Sequence, residues 1–277
     1  MKPTDTDRKL AYVTGASSGI GYELARQFAK NGYDVIVTAE NDIESAAQRI
    51  QSEFANVKID AIRCDLRKGS EVDKLSQFIE ATGRPVAACA INAGVGVGGN
   101  FETNDLQEEL DSIALNVTST VHLAKHTIRR MLSQGQGGRI LFTSSIVANM
   151  PSPYQAVYAA TKAFVQNLSE GLRYEMKDKG IKITALQPNA TDTEFFERGG
   201  MMDTKVGQAE KDDPALVAEQ GFEALMDDKD HQFGGSLMSR VQGMVSDMIP
   251  EQMKAGMNAK QTKPGSASEE LSKKKAS

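Results

Sequence analysis

Short apolar runs rich in β-branched residues alternate with longer segments of helical periodicity along most of the chain. This alternation specifies a parallel sheet that is covered by helices on both faces. The runs are continuously apolar, as expected for strands that are buried on both sides. The predicted strands are Leu10–Thr14, Asp34–Ala39, Val57–Cys64, Val86–Ile91, Arg139–Ser144 and Lys182–Leu186, followed by a short strand near His231–Gly234.

The pattern predicts one domain over residues 1–260 rather than two. Residues 193–212 are polar, contain glycines and exceed the usual length of a loop, which is typical of a lid over a substrate. Apolar residues recur at helical spacing over 236–258 and predict a C-terminal helix. The composition of residues 261–277 indicates a disordered tail.

Charge and hydropathy exclude several classes of partner. A net charge of −5 argues against nucleic acid. No stretch approaches the roughly 18 apolar residues of a membrane span, and the N-terminal residues show no apolar signal-peptide region. Cys64 and Cys89 lie in apolar runs and are interpreted as buried thiols in a reducing compartment. These observations predict a cytoplasmic protein that binds neither nucleic acid nor membrane.

Three glycines follow the first predicted strand directly and precede a helix. Gly15, Gly19 and Gly21 stand in a GxxxGxG spacing within TGASSGIG. Glycine at such places permits a tight turn, a close approach of backbone to phosphate, and close packing of helix on strand. The helix N-terminus then offers unpaired N–H groups to an anion. A dinucleotide phosphate is the favoured ligand, and a purely structural turn is the alternative.

Two further residues follow strands at the edge where ligands bind in open parallel sheets. Asp65 lies just past the third strand, where a carboxylate can accept hydrogen bonds at the adenine edge or merely cap the strand end. Gly94 follows the fourth strand and lets the backbone pass close to a ribose.

Tyr158 and Lys162 stand four residues apart in a predicted helix and therefore share one face. An ammonium beside a phenol favours the phenolate, so we expect Lys162 to lower the pKa of Tyr158 toward working pH, as general acid–base chemistry requires. Ser145, at the end of the fifth strand, can hold a substrate oxygen. Asn116 is polar in a helix where packing would favour an apolar residue.

With these motifs the chain resembles the short-chain dehydrogenase/reductase family over residues 8 to about 195. The resemblance implies a Rossmann-type, doubly wound parallel α/β sheet of about seven strands in the order 3-2-1-4-5-6-7. The matching segments are TGASSGIG (14–21), CDL (64–66), INAG (91–94), the Asn116 segment, Ser145 and YAATK (158–162).

The resemblance also implies roles for single residues. Ser145, Tyr158 and Lys162 would form the catalytic core, and Asn116 would support a water-linked proton relay. Lys162 would also bind the nicotinamide ribose, and Thr193 the carboxamide. The residues expected to contact the cofactor are Gly15, Ser17, Ser18, Gly19, Ile20, Gly21, Glu40, Asp65, Leu66, Asn92, Ala93, Gly94, Tyr158, Lys162, Pro188, Thr191 and Thr193.

The residues after the second strand bear on the choice between NAD(H) and NADP(H). NADP binding needs cationic groups near the 2′-phosphate, but the relevant positions hold Glu40 and Ser18. NAD is therefore modestly favoured. The family's usual NAD-selecting carboxylate falls one residue earlier, at Ala39, and Arg63 is an alternative phosphate ligand from the third strand.

The sequence thus predicts an NAD(P)-dependent oxidoreductase that acts on a small-molecule carbonyl or alcohol, with Tyr158 as general acid and base. A catalytically silent dinucleotide-binding regulator is the alternative, and isomerase or dehydratase chemistry on the same fold is a third. The resemblance also implies a homo-oligomer, a dimer or a tetramer, because family members usually pair through the long helices around Val117–Leu132 and Ala156–Tyr174. His122 and His126 are four apart, but HLAKH lacks the metalloprotease glutamate, so no metal site is predicted.

Overall fold

A computed structural model describes residues 8–239 and 251–268. Its seven parallel strands are arranged in the order β3-β2-β1-β4-β5-β6-β7, which confirms the predicted doubly wound sheet. The strands are β1 (Leu10–Thr14), β2 (Asp34–Ala39), β3 (Ile59–Arg63), β4 (Val86–Ile91), β5 (Gly138–Thr143), β6 (Ile181–Pro188) and β7 (His231–Gly234).

Helices cover both faces of the sheet. They are α1 (Gly19–Lys30), α2 (Ile43–Glu53), α3 (Gly69–Ala81), α4 (Leu106–Ile113), α5 (Ser119–Gln134), α6 (Ala156–Met176), α7 (Phe195–Arg198), α8 (Lys205–Gln208), α9 (Pro214–Met226) and α10 (Glu251–Thr262). A π-helical turn, Ala114–Thr118, joins α4 to α5, and a 3-10 turn, Ile146–Asn149, follows β5.

Alternate residues of each strand enter two separate hydrophobic cores. Ala11 and Val13 of β1 pack with α1, α2 and α9, whereas Leu10 and Tyr12 pack with α3, α5 and α6. This two-sided burial explains why the strands read as continuous apolar runs. Within the described ranges, no helix is both long and apolar enough to cross a membrane.

The chain order reverses at β1, whose neighbours in the sheet are β2 and β4. In such sheets the crevice beyond the carboxyl ends of the strands, at the reversal point, is where ligands bind. The glycine-rich turn follows β1, and the residues predicted to be functional follow β2 to β6. The topology therefore brings them to one edge.

The C-terminal part differs from the sequence-based expectation. Residues 240–250 of the predicted helix 236–258, and 269–277 of the predicted tail, lie outside the described residues. Helix α10 continues to Thr262, and Ser266 is buried. The Ser266 hydroxyl accepts a hydrogen bond from Lys205 N at 3.0 Å, and Gly265 N donates to Asp203 Oδ2 at 2.8 Å. Residues 261–268 are thus packed on the segment 203–205, because polar residues there find partners on the fold.

Candidate active site

A cavity of about 530 Å³ opens at the carboxyl edge of the sheet. This volume is within the usual range for sites that bind small molecules and cofactors. Its lining includes every residue that the sequence predicted as catalytic or cofactor-binding except Asn116, which lies in the shell behind it.

The turn after β1 has no space for side chains at its glycine positions. Gly15 has φ +65°, and a Cβ there would lie 2.9 Å from the Cα of Ala93. A Cβ on Gly21 would overlap the carbonyl oxygen of Gly15. Ser18 precedes α1 in extended conformation without a side-chain cap, so the first amides of the helix are directed at the cavity, as a phosphate requires.

A cluster of charges lies beyond β2 and β3. Arg67 Nη2 contacts Glu40 Oε2 at 2.6 Å, and Arg67 Nε contacts Asp65 Oδ1 at 2.8 Å. The Arg67 guanidinium lowers the pKa of the Asp65 carboxyl. Arg63 donates to the Glu40 carbonyl oxygen at 2.6 Å. The sequence analysis identified Arg63 as a possible phosphate ligand but did not identify Arg67. No local sequence pattern indicates that the side chain of Arg67 contacts that of Glu40.

Asn92 holds three strands together at the middle of the crevice. Its Nδ2 donates to Thr14 O at 3.0 Å, and its Oδ1 accepts from Thr143 Oγ1 at 2.9 Å. Ala93 N donates to Thr14 Oγ1 at 2.9 Å. The side chain of Asn92 is thus engaged within the sheet, and the backbone from Asn92 to Gly94 is the part that faces the cavity.

Tyr158 and Lys162 project from α6 toward the end of β5, and both are buried. Lys162 Nζ lies 5.8 Å from the centroid of the Tyr158 ring and donates to Thr143 O at 2.9 Å. Ser144 Oγ donates to the Lys162 carbonyl at 2.9 Å and fixes the helix on the strand. Ser145 begins the 3-10 turn, and its hydroxyl interacts with Tyr158.

The pKa of Tyr158 shifts in the direction opposite to our expectation. Burial raises it to about 12, and the hydrogen bond with Ser145 opposes this only in part. Burial also lowers the pKa of Lys162 to about 8. The expected net lowering of the Tyr158 pKa is wrong, because desolvation of the phenolate dominates and the Lys162 ammonium lies 5.8 Å from the ring centroid. The phenol is therefore neutral near pH 7.

Asn116 lies in the π-helical turn between α4 and α5 and is 1% exposed. Its Oδ1 accepts from Val95 N at 2.9 Å, and its Nδ2 donates to Val95 O at 2.8 Å and Thr161 Oγ1 at 3.0 Å. A Cβ on Gly94 would lie 3.1 Å from both Asn116 Oδ1 and Lys162 Nζ. Such π turns occur often at functional sites, and this one ties the strand-end loop to α6.

Residues of the segment after β6 form part of the cavity wall. The Thr193 side chain packs so closely on the glycine turn that a Cβ on Gly19 would lie 3.1 Å from Thr193 Cβ. The Phe195 ring is 5.0 Å from the Tyr158 ring, and Met201 is buried and accepts a contact from Gln155 Nε2 at 2.7 Å. Met202, in the same segment, is instead 44% exposed.

Another part of the cavity wall is formed by the C-terminal helix α10, which the sequence analysis did not assign to the site. Asn258, Gln261 and Thr262 of α10 line the cavity. Thr262 Oγ1 donates to Pro153 O at 2.8 Å, and Lys254 Nζ donates to Asn149 O at 3.1 Å. No local signal identifies these residues, because their role depends on where the fold returns the chain.

Comparison with known proteins places this geometry in a family. The family model described as short chain dehydrogenase matches residues 9–202. A 3beta-hydroxysteroid dehydrogenase of Mediterraneibacter gnavus is 30% identical over 221 residues, which is 79% of this chain and 76% of that protein.

Two solved structures show the same relationship. A short-chain dehydrogenase of Sphingobium yanoikuyae, in complex with NADPH, is 28% identical with a TM-score of 0.75, over 81% of this chain and 87% of that chain. The bulky-bulky ketone specific alcohol dehydrogenase of Comamonas testosteroni is 25% identical with a TM-score of 0.73, over 89% and 96% of the two chains.

Proposed function

The chain belongs to the short-chain dehydrogenase family of NAD(P)-dependent oxidoreductases, and from this premise we propose that it interconverts a ketone and a secondary alcohol, with Tyr158 as the proton-transfer residue. The observation that carries the proposal is the convergence of Ser145, Tyr158 and Lys162 on the cavity that also contains the glycine-rich turn. All the proton-handling groups are present, so nothing favours the silent regulator.

The residues fit a nicotinamide dinucleotide. The glycine turn, where added Cβ atoms would overlap backbone, leaves the helix amides to bind the pyrophosphate. Asp65, Leu66, Gly94, Lys162 and Thr193 all line the cavity. Asp65 and Leu66 would bind the adenine end, Gly94 and Lys162 would bind the nicotinamide ribose, and Thr193 packs on the glycine turn. When bound, the nicotinamide supplies or accepts the hydride.

The protonation of Tyr158 supports ketone reduction as the favoured chemistry near neutral pH. The neutral phenol donates a proton to the oxygen of the ketone, and the Ser145 hydroxyl hydrogen-bonds the same oxygen. The reverse reaction needs the phenolate, which the Lys162 ammonium stabilises. Asn116 orders the loop and helix on either side of these groups and is a positioning residue.

The walls around Tyr158 support a bulky, largely apolar substrate. Val147, Met150, Phe195 and Val206 line the same cavity as Tyr158, and the Phe195 ring lies 5.0 Å from the Tyr158 ring. The two named relatives act, by their descriptions, on 3beta-hydroxysteroids and on bulky-bulky ketones. We propose a ketone with a large apolar group, and we propose that residues 193–212 form a lid that excludes water from it.

A panel of ketones tests this function directly. With reduced cofactor, steroid or diaryl ketones are expected to give at least about tenfold higher kcat/KM than acetone, because small substrates leave apolar walls uncovered. Consumption of the nicotinamide absorbance measures turnover. Cofactor binding without turnover of any ketone or alcohol would overturn the proposal in favour of the silent regulator.

The Glu40–Arg67 pair sets the proposed preference for NAD. The pair is exposed, so its strength is small and Glu40 can exchange it for a ribose hydroxyl. Glu40 also repels a 2′-phosphate. Removal of its carboxylate would free the Nη2 group of Arg67 to bind that phosphate, whereas Arg63 contacts only the backbone carbonyl of Glu40.

We therefore expect NADH to bind more tightly than NADPH in the parent protein. Glu40→Ala should reduce or reverse this difference in affinity. The two Kd values are measured at one ionic strength by fluorescence of the reduced cofactor. Adding Arg67→Ala to Glu40→Ala should abolish the gain in NADPH affinity, whereas Glu80→Ala, an exposed glutamate outside the cavity lining, should change nothing. Tighter NADPH binding in the parent contradicts the preference.

A further inference from the structure

Two histidines and an aspartate meet on the surface between α3 and α5, away from the cavity lining. His122 Nε2 lies 3.0 Å and His126 Nε2 lies 3.2 Å from the same oxygen, Asp73 Oδ1. All three ligand atoms lie within 4.8 Å of one another. The sequence placed the two histidines on one helix face, but only the fold adds Asp73 from a neighbouring helix.

We propose that Asp73, His122 and His126 form a binding site for Zn²⁺ or a similar late first-row divalent ion. Two imidazole nitrogens and one carboxylate oxygen are a ligand set that such ions prefer, whereas Mg²⁺ and Ca²⁺ prefer oxygen alone. Ligand atoms about 2.0–2.1 Å from a tetrahedral ion lie about 3.3 Å apart. The two nitrogen–oxygen separations are close to this value, and the two imidazole nitrogens lie within 4.8 Å of each other, so side-chain rotations that bring the imidazoles closer complete the site.

The surroundings leave the site accessible from solvent. The side chains of His122, His126 and Asp73 are 31%, 39% and 49% exposed. An ion can therefore enter directly and keep a water molecule as its fourth ligand. The short carboxylate–imidazole contacts hold the ligands near one another before the ion arrives, which reduces the conformational entropy lost on binding.

The consequence is a metal clamp between two helices that are distant in sequence. The unfolded chain does not hold residue 73 near residues 122 and 126, so the ion binds the folded state preferentially and stabilises it. Helix α5 continues from the π turn that carries Asn116. The bound ion would thus stabilise the position of α5 beside the active site, and it would take no part in the reaction itself.

Titration of the untagged chain, freed of metal with a chelator, tests this site independently of turnover. We expect one Zn²⁺ per chain by calorimetry, a Tm raised by several degrees at saturating Zn²⁺, and a tetrahedral visible spectrum with Co²⁺. His126→Gln and Asp73→Asn should each weaken Zn²⁺ binding at least about tenfold, because each removes one ligand of three. Glutamine retains an amide that can contact Asp73, so folding is preserved.

His231→Gln is the matched control, since His231 is the remaining histidine of the chain and lies outside the cluster. It should bind Zn²⁺ as the parent does. Absence of stoichiometric binding in the parent, or equal affinity in the parent and His126→Gln, overturns the proposal. A loss of binding in His231→Gln would also overturn it, because the ion would then lie elsewhere.

Discussion

Tyr158→Phe should reduce kcat for ketone reduction by about 10²–10⁴ while leaving the affinity for reduced cofactor almost unchanged. The substitution removes only the hydroxyl that donates the proton. The ring remains packed on Phe195, so the shape of the cavity is kept. Reduced-cofactor fluorescence measures binding, and absorbance measures turnover.

Tyr174→Phe is the matched control for this experiment. It removes a tyrosine hydroxyl from the same helix at a position that is 73% exposed, so turnover should not change. A deuterated cofactor establishes that the chemical step limits the rate. If Tyr158→Phe then keeps more than a tenth of the parent's turnover, Tyr158 is not the proton donor.

Lys162→Met should weaken cofactor binding by about tenfold and move the pH profile of alcohol oxidation at least about one pH unit higher. Methionine fills much of the same volume, which avoids a cavity, but it lacks the ammonium. Below its pKa of about 8 Lys162 carries a positive charge, and loss of that charge makes the Tyr158 phenolate less stable in this pH range, so deprotonation requires a higher pH. The loss of the ribose contact accounts for the weaker binding.

The profile is measured on kcat with saturating cofactor, so that the binding defect does not enter. Lys125→Met, on the exposed face of α5, is the control for loss of a positive charge at a distance. An unchanged profile in Lys162→Met would show that Lys162 does not act on Tyr158. A shift to lower pH would contradict the sign of the interaction.

Local sequence predicted most of the fold and the catalytic half of the site. The strands are continuous apolar runs, and their order in the sheet followed from the resemblance of the motifs to one family. Tyr158 and Lys162 were predicted because helical spacing puts them on one face and Ser145 precedes them at the end of a strand. Ser145 and Gly94 were found because they follow strands, and ligands gather at that edge.

The remaining features depend on long-range packing. Arg67 contacts Glu40, Asp73 contacts His122 and His126, and α10 packs on the loop 149–153. No local sequence pattern indicates any of these three contacts. The pKa direction of Tyr158 was missed because burial is a tertiary property. The cytoplasmic location and the homo-oligomer stay predictions from the sequence.

The cavity wall has a consequence for how this chain can change over evolution. Tyr158 and the glycine turn lie inside the matched region 9–202, whereas Val206, Asn258, Gln261 and Thr262 lie beyond it. The proposed proton-transfer residues and one part of the cavity wall thus lie in different stretches of the chain, although Val147, Met150 and Phe195 of the same wall lie inside the matched region. Substitutions beyond residue 202 can reshape that part of the wall while the proposed proton-transfer residues remain unchanged.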